Sequence, residues 1–95
     1  MILLTSENFA VEVLQSPLPV LVLFGAVWSI LSNHTATKME ALDHTHVKVG
    51  RVDVDKSSDL AIRFAVRDMP LVMLFKEGLL VAKDIDLTAS LVAAI

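Results

Sequence analysis

The most constraining feature of this chain is the uninterrupted apolar run Val-Leu-Val-Leu-Phe at residues 20–24. A half-buried strand alternates apolar and polar residues, whereas a strand that is buried on both faces is apolar throughout. The run has the length of a strand and follows Ser16-Pro17-Leu18-Pro19, where each proline disfavours helical geometry in the residue before it. It therefore predicts a central sheet strand with other elements packed on both faces, which is the arrangement of α/β domains.

Length and composition limit what the rest of the chain can add. The 95 residues suffice for one domain, 1–95. No apolar run approaches the about 18 residues of a membrane span. The N-terminal Met-Ile-Leu-Leu lacks the basic segment and long apolar core of a signal peptide, so we expect a cytoplasmic protein without membrane contact. The net charge of −3 and the scattered Lys and Arg residues argue against a nucleic-acid partner.

The apolar content of 55% is high for a soluble domain. This excess has two interpretations. It either over-fills the core or leaves an exposed patch that binds a protein partner, or a second copy of the chain in a homodimer. Composition alone does not locate the patch.

Periodicity and turn residues predict the remaining elements. Strands are predicted at residues 2–4, 47–54, 71–75 and 79–85, and helices at residues 7–15, 29–43, 57–65 and 87–95. Thr5-Ser6 and Ser57 are placed to cap helices, and Glu77-Gly78 is a tight hairpin turn. The order is βαβαβαββα, with parallel crossovers first and an antiparallel hairpin last, which predicts a central mixed sheet flanked by helices.

The segment Trp28-Ser29-Ile30-Leu31-Ser32 follows the central strand and opens the next helix, in which Leu31, Met39 and Leu42 are spaced to share a buried face. In such a strand-then-helix setting, two thiols three residues apart form a redox motif. Here positions 29 and 32 carry hydroxyls, and the chain contains no cysteine. A serine neither forms a disulfide nor ionises near neutral pH as a helix-terminal thiol does, so the sequence predicts a site without redox activity.

The chain resembles the thioredoxin family along nearly its whole length, in five segments that occur in the family's order. The segments are Leu-Thr-Ser-Glu-Asn-Phe at 4–9, Pro-Val-Leu-Val-Leu-Phe at 19–24 with Ala26 and Trp28, Val-Asp-Val-Asp at 52–55, Val-Arg-Asp-Met-Pro at 66–70 and Leu-Phe-Lys-Glu-Gly at 74–78. The resemblance implies the thioredoxin fold. It also implies a cis peptide bond before Pro70, in a loop that faces the active site and pairs with an extended substrate peptide.

The departures from the family pattern fall on its chemistry. By the resemblance, Ser29 and Ser32 occupy the positions of the nucleophilic and resolving cysteines. Leu23 occupies that of a buried aspartate that assists proton transfer to the resolving thiol. The remaining departures are Gly25 for a tryptophan under the site, Ile30 and Leu31 for Gly-Pro, Thr37 for a kinking proline, Arg51 for a lysine and Asp86 for a glycine. They indicate a site converted from proton and electron chemistry to packing.

The resemblance places Met69-Pro70 opposite Trp28 and Ile30, which with Leu31 predicts an apolar groove for a protein or peptide partner. The chain is then a redox-inactive docking or peptide-binding module, or an engineered scaffold on this fold without catalytic function. The alternative is a Cys-to-Ser variant of a thioredoxin-type protein disulfide oxidoreductase.

Two other chemistries are disfavoured. Ser29 as a nucleophile would need His34 as its base, but His34 is five positions further along the helix and lies on another face. Ser29 is therefore expected to be the N-cap of its helix. His44 and His46 alternate, but only His34 offers a further imidazole and there is no thiolate, so no metal is expected. No cofactor is expected either.

Overall fold

The computed structural model of the protein describes residues 1–42 and 44–95. Its strands are β1 (Ile2–Leu4), β2 (Val20–Gly25), β3 (Lys48–Asp53), β4 (Leu71–Lys76) and β5 (Leu79–Asp84). Its helices are α1 (Ile30–Glu40), α2 (Ser58–Arg63) and α3 (Ala89–Ala93), and a π-helical segment, Ala10–Leu14, precedes β2. The order confirms the predicted βαβαβαββα, with the π-helical segment in the place of the first helix.

The five strands form one mixed sheet in the order β1-β3-β2-β4-β5. Strand β3 pairs in parallel with both β1 and β2. Strand β4 pairs antiparallel with both β2 and β5. Strand β2 is apolar throughout because it contributes side chains to a core cluster on each face of the sheet. Val20, Val22 and Phe24 pack with the π-helical segment and α2 on one face. Leu21 and Leu23 pack with α1 and α3 on the other. The prediction of a central strand buried on both faces is confirmed.

This topology brings several loops to one edge of the sheet, which we call the site edge. Strands β2 and β3 both end there, at Gly25 and Asp53, because they are parallel and in register. Strand β4 starts there at Leu71, opposite Phe24, and β5 ends there at Asp84. The loops that meet at this edge are residues 26–29, 54–57, 66–70 and 85–88. In open α/β sheets, ligands bind at the carboxyl ends of parallel strands.

The first helical segment is shorter than predicted. The Thr5 backbone N–H donates to Asn8 Oδ1 at 2.8 Å, and the Asn8 and Phe9 N–H groups donate back to the Thr5 carbonyl. The Phe9 bond spans four residues, as does the bond from Glu12 N–H to the Asn8 carbonyl at 2.9 Å, so helical hydrogen bonding starts at Thr5. It then widens to the π-helical spacing, in which Gln15 N–H donates to the Ala10 carbonyl at 2.9 Å. Ser57 occupies the N-cap position of α2, but the predicted capping bond from its hydroxyl is absent.

Met39 in α1 and Leu42 just after it pack against the core as predicted, but Leu31 does not. The buried residues of α1 are Ser32, Thr35 and Met39, whereas Leu31 is 64% exposed. The prediction for Leu31 was wrong because consecutive positions are rotated by about 100°, and the spacing that includes Met39 places residues 32 and 35 inward. The helix ends at Glu40. The predicted end at residue 43 lies outside the described residues.

The hairpin between β4 and β5 has the predicted turn. Both central residues have positive φ, 52° at Glu77 and 79° at Gly78, as a type I′ turn requires. A Cβ atom at Gly78 would lie 2.8 Å from the Leu14 carbonyl oxygen, so a larger residue does not fit. Within the described part of the chain, no helix is long and apolar enough to cross a bilayer.

Candidate functional site

The two hydroxyls of the degenerate redox motif are tied to the backbone. Ser29 is the N-cap of α1, and its Oγ accepts a hydrogen bond from Ser32 N–H at 3.2 Å. The Ser32 side chain is completely buried, and its Oγ accepts from Ala26 N–H at 3.4 Å. Both side chains therefore hold the first turn of α1 against the end of β2, and the capping role predicted for Ser29 is observed.

Leu23 and Arg51 are register partners on β2 and β3. Leu23 is fully buried in the core cluster under α1 and α3. Arg51 Nη2 donates to the Ala26 carbonyl at 3.3 Å and to Asn33 Oδ1 at 2.9 Å, while Arg51 Nε is buried without a hydrogen-bond partner. Among the described residues, Arg51 forms no ion pair. The position across from this cation thus carries an alkyl side chain that can neither take up nor release a proton.

Gly25 and Ser32 are fitted to each other. A Cβ atom built on Gly25 would lie 2.8 Å from both Cβ and Oγ of Ser32, which is closer than real Cβ contacts come. Ser32 Cβ is attached directly to the helix backbone, so relief would require the first turn of α1 to move. The backbone at this point therefore has no room for the tryptophan that the family resemblance implies at position 25.

An open groove of about 320 Å³ lies at the site edge, which we call the edge groove. The peptide bond Met69-Pro70 that borders it is cis. The lining residues are Leu31, His34, Thr35, Asp68, Met69, Pro70, Ile85 and Asp86. The structure thus brings together three of the five predicted contact residues, namely Leu31, Met69 and Pro70.

The other two predicted contact residues lie outside the lining of the edge groove. Trp28 is 68% exposed and its Nε1 donates to Asp55 Oδ2 at 2.8 Å, and Ile30 is 84% exposed. Both remain apolar surface on the segment that leads into α1. No group of three His, Asp or Glu side chains in residues 1–42 and 44–95 is arranged to hold a metal ion.

Sequence reasoning missed the wall opposite Leu31, which Ile85 and Asp86 form directly after β5. Asp86 links this wall to helix α1. Thr35 Oγ1 donates to Asp86 Oδ1 at 2.8 Å, and Lys38 Nζ donates to Asp86 Oδ2 at 2.8 Å. The pairing lies about fifty positions apart along the chain, so no local pattern reveals it. The one indication in the sequence was an aspartate at position 86, where the family resemblance implies a glycine.

The hydrogen bonds from Lys38 and then Thr35 lower the pKa of Asp86 from its ordinary value of 3.8 to about 2. Because the folded-state pKa is depressed, the ionised carboxylate stabilises the fold above pH 4, and this contribution is lost as the pH falls towards 2. We expect Asp86→Asn to lower the free energy of unfolding at pH 7 by about 0.5–1 kcal/mol, typical of a partly exposed ion pair.

Urea denaturation of both proteins from pH 7 down to pH 2 checks this expectation. The difference in unfolding free energy should shrink towards zero at the acid end. Glu7→Gln serves as the control, because Glu7 is an exposed acid outside the edge groove. A difference for Asp86→Asn that stays constant with pH would show that the ionised form of Asp86 does not stabilise the fold.

Comparison with known proteins agrees with the fold. A family model described as Thioredoxin matches residues 1–93. Thioredoxin C-2 of Corynebacterium nephridii is 36% identical over 84 residues, which cover 85% of this chain and 78% of that protein. A thioredoxin of Rickettsia bellii is 35% identical over 77 residues, covering 78% and 73%. A thioredoxin of Mycobacterium bovis is 36% identical over 77 residues, covering 78% and 66%.

Proposed function

The chain belongs to the thioredoxin family, and from that premise we propose that it is a protein-docking domain that binds an extended peptide segment without thiol–disulfide exchange. The observation that carries the proposal is the apolar surface at the site edge. Ile30 and Leu31 are 84% and 64% exposed, and Ile85 on the opposite wall is 71% exposed. Contiguous exposed apolar surface marks interaction sites in soluble proteins.

The Met69-Pro70 loop supports recognition of an extended segment. Met69 precedes β4 and lies outside the strand ladders. Among the described residues, no hydrogen bond engages its backbone N–H or carbonyl group. A free backbone donor and acceptor beside apolar side chains suit a peptide that pairs as a strand and inserts a side chain into the edge groove.

The absence of cysteine removes the nucleophile of disulfide exchange. An engineered scaffold without a partner would share this property. The exposed Ile30 and Leu31 favour a docking domain over a scaffold without a partner, since neither side chain contributes a buried contact to the core. A simple Cys-to-Ser variant of an oxidoreductase explains the two serines, but it does not explain Leu23 or the close fit of Gly25 against Ser32.

Binding of a synthetic peptide tests the proposal. The probe is acetyl-Gly-Ser-Val-Leu-Gln-Val-Ser-Gly-amide, a neutral extended peptide with apolar residues, titrated while amide chemical shifts are followed by NMR. We expect saturable shifts confined to the site edge. The double variant Ile30→Ser/Leu31→Ser should bind about tenfold more weakly, because two apolar side chains lose their burial against the peptide.

Ile62→Ser is the matched control, because Ile62 on α2 is 78% exposed and lies outside the edge groove. Its affinity for the peptide should equal that of the unchanged protein. The proposal fails if the peptide produces no saturable shifts, or if the double variant and the control bind it equally well.

A further inference from the structure

The charges that line the edge groove are all negative. Its lining includes the carboxylates of Asp68 and Asp86 but no lysine or arginine. The imidazole of His34 also lines the edge groove. Arg67 precedes Asp68 in the chain but is not among the lining residues. The net charge of the whole chain, −3, has the same sign.

The two carboxylates differ in what already binds them. Asp86 is held by Lys38 and Thr35 and is therefore compensated within the protein. Asp68 is exposed, and in the part of the chain that the structure describes no ion pair or hydrogen bond engages its side chain. The edge groove thus combines apolar walls with one uncompensated negative charge beside Met69.

An apolar peptide lying over Asp68 would strip water from the carboxylate without replacing it, which is unfavourable. A cation on the peptide would instead form a charge-assisted hydrogen bond, and an arginine could do so with two N–H groups. We infer that the edge groove selects partner segments in which an arginine or lysine lies next to the apolar residue that fills it. This inference rests on the proposed function and specifies its partner.

Three peptides that differ at one position test the inference. The probe described above is compared with peptides in which arginine or glutamate replaces its single glutamine, in 20 mM buffer with about 50 mM NaCl, where exposed charges are weakly screened. The arginine peptide should bind about two- to fivefold more tightly than the glutamine peptide, the range expected for one exposed ion pair, and the glutamate peptide more weakly.

Asp68→Asn should remove the advantage of the arginine peptide, and the glutamine peptide should bind this variant at least as tightly as it binds the unchanged protein, because no carboxylate is then stripped of water. Glu77→Gln is the charge-matched control, because Glu77 lies in the hairpin at the opposite end of the sheet from the site edge. It should retain the full preference. Raising NaCl to about 0.5 M should reduce the preference in the unchanged protein.

The outcomes distinguish the docking function from the preference for a cationic residue. If the glutamine peptide binds at the site edge but arginine gives no advantage, or if Asp68→Asn keeps the advantage, the inference about charge is overturned and the docking function stands. If none of the three peptides binds, the docking function itself is overturned and the inference falls with it.

Discussion

Leu23→Asp is expected to lower the free energy of unfolding at pH 7 by about 3–5 kcal/mol, the combined effect of lost apolar packing and a buried polar group. Leu23 is fully buried at the centre of the sheet, in the cluster that packs against α1 and α3. By the family resemblance this position carries an acid in proteins that move protons at the site. In this chain Leu23 contributes apolar contacts to the core, and an aspartate at this position would remove them.

The pH dependence of this loss identifies its cause. Burial raises the pKa of an introduced carboxyl group above its unfolded value, so its neutral form is tolerated at low pH and the penalty grows as the pH rises. The variant should therefore be closer to the unchanged protein at pH 4 than at pH 8. Leu23→Asn is the matched control, because it has nearly the shape of aspartate but does not titrate. Urea denaturation across this pH range gives both comparisons.

Arg51 makes the opposite outcome a real alternative. It lies across from Leu23 in the sheet, and its buried Nε has no hydrogen-bond partner. If an aspartate at position 23 paired with this cation, the loss would be small and would not grow with pH. A penalty under about 1 kcal/mol that is independent of pH would therefore refute the assignment of Leu23 to packing.

Restoring both cysteines is expected to give a poor oxidoreductase. In the double variant Ser29→Cys/Ser32→Cys, the first thiol occupies the N-cap of α1, where the helix terminus lowers a thiol pKa and favours nucleophilic attack. The second thiol is fully buried, and position 23, where the family resemblance implies an acid that assists transfer of its proton, carries leucine. General acid–base assistance contributes about 10²–10⁴ in rate, and we expect insulin reduction at least about 100-fold slower than by an active Cys-x-x-Cys thioredoxin.

The unchanged chain is the baseline and is expected to show no turnover above the dithiothreitol blank, because it has no cysteine. When the reduced double variant is incubated with glutathione disulfide, the thiolate at position 29 attacks it and releases reduced glutathione. The resulting mixed disulfide should accumulate and be visible by mass spectrometry, because attack outpaces resolution. Adding Leu23→Asp to this variant should raise the reduction rate while lowering stability. Turnover by the double variant within a few-fold of an active thioredoxin would show that the serines alone account for inactivity.

Several parts of the fold were predictable because local sequence carries enough information. The run at 20–24 is apolar because β2 contributes side chains to both core clusters. Glu77-Gly78 predicts its hairpin since few residue pairs adopt two positive φ angles. Ser29 predicts a helix start because its hydroxyl supplies a hydrogen bond to the first turn.

The prediction failed where burial depends on rotation about a helix axis or on a distant partner. Leu31 was expected on the buried face of α1 but is exposed, because Ser32 and Thr35 occupy the face that packs against the sheet. Thr35 is tolerated there since Asp86 accepts its hydroxyl hydrogen bond. The contribution of Ile85 and Asp86 to the edge groove also depends on how the fold places the end of β5 beside α1, which no local pattern specifies.

The sequence by itself determined the strand and helix order and the absence of thiol chemistry, because both depend on residue types at local spacings: the apolar run, the turn residues and two serines where a redox motif needs cysteines. Only the tertiary structure decided the shape and charge of the edge groove. Its walls come from α1, the loop before β4 and the loop after β5. These segments meet because strand pairing brings their ends to one edge of the sheet, and contacts over such separations depend on the fold as a whole.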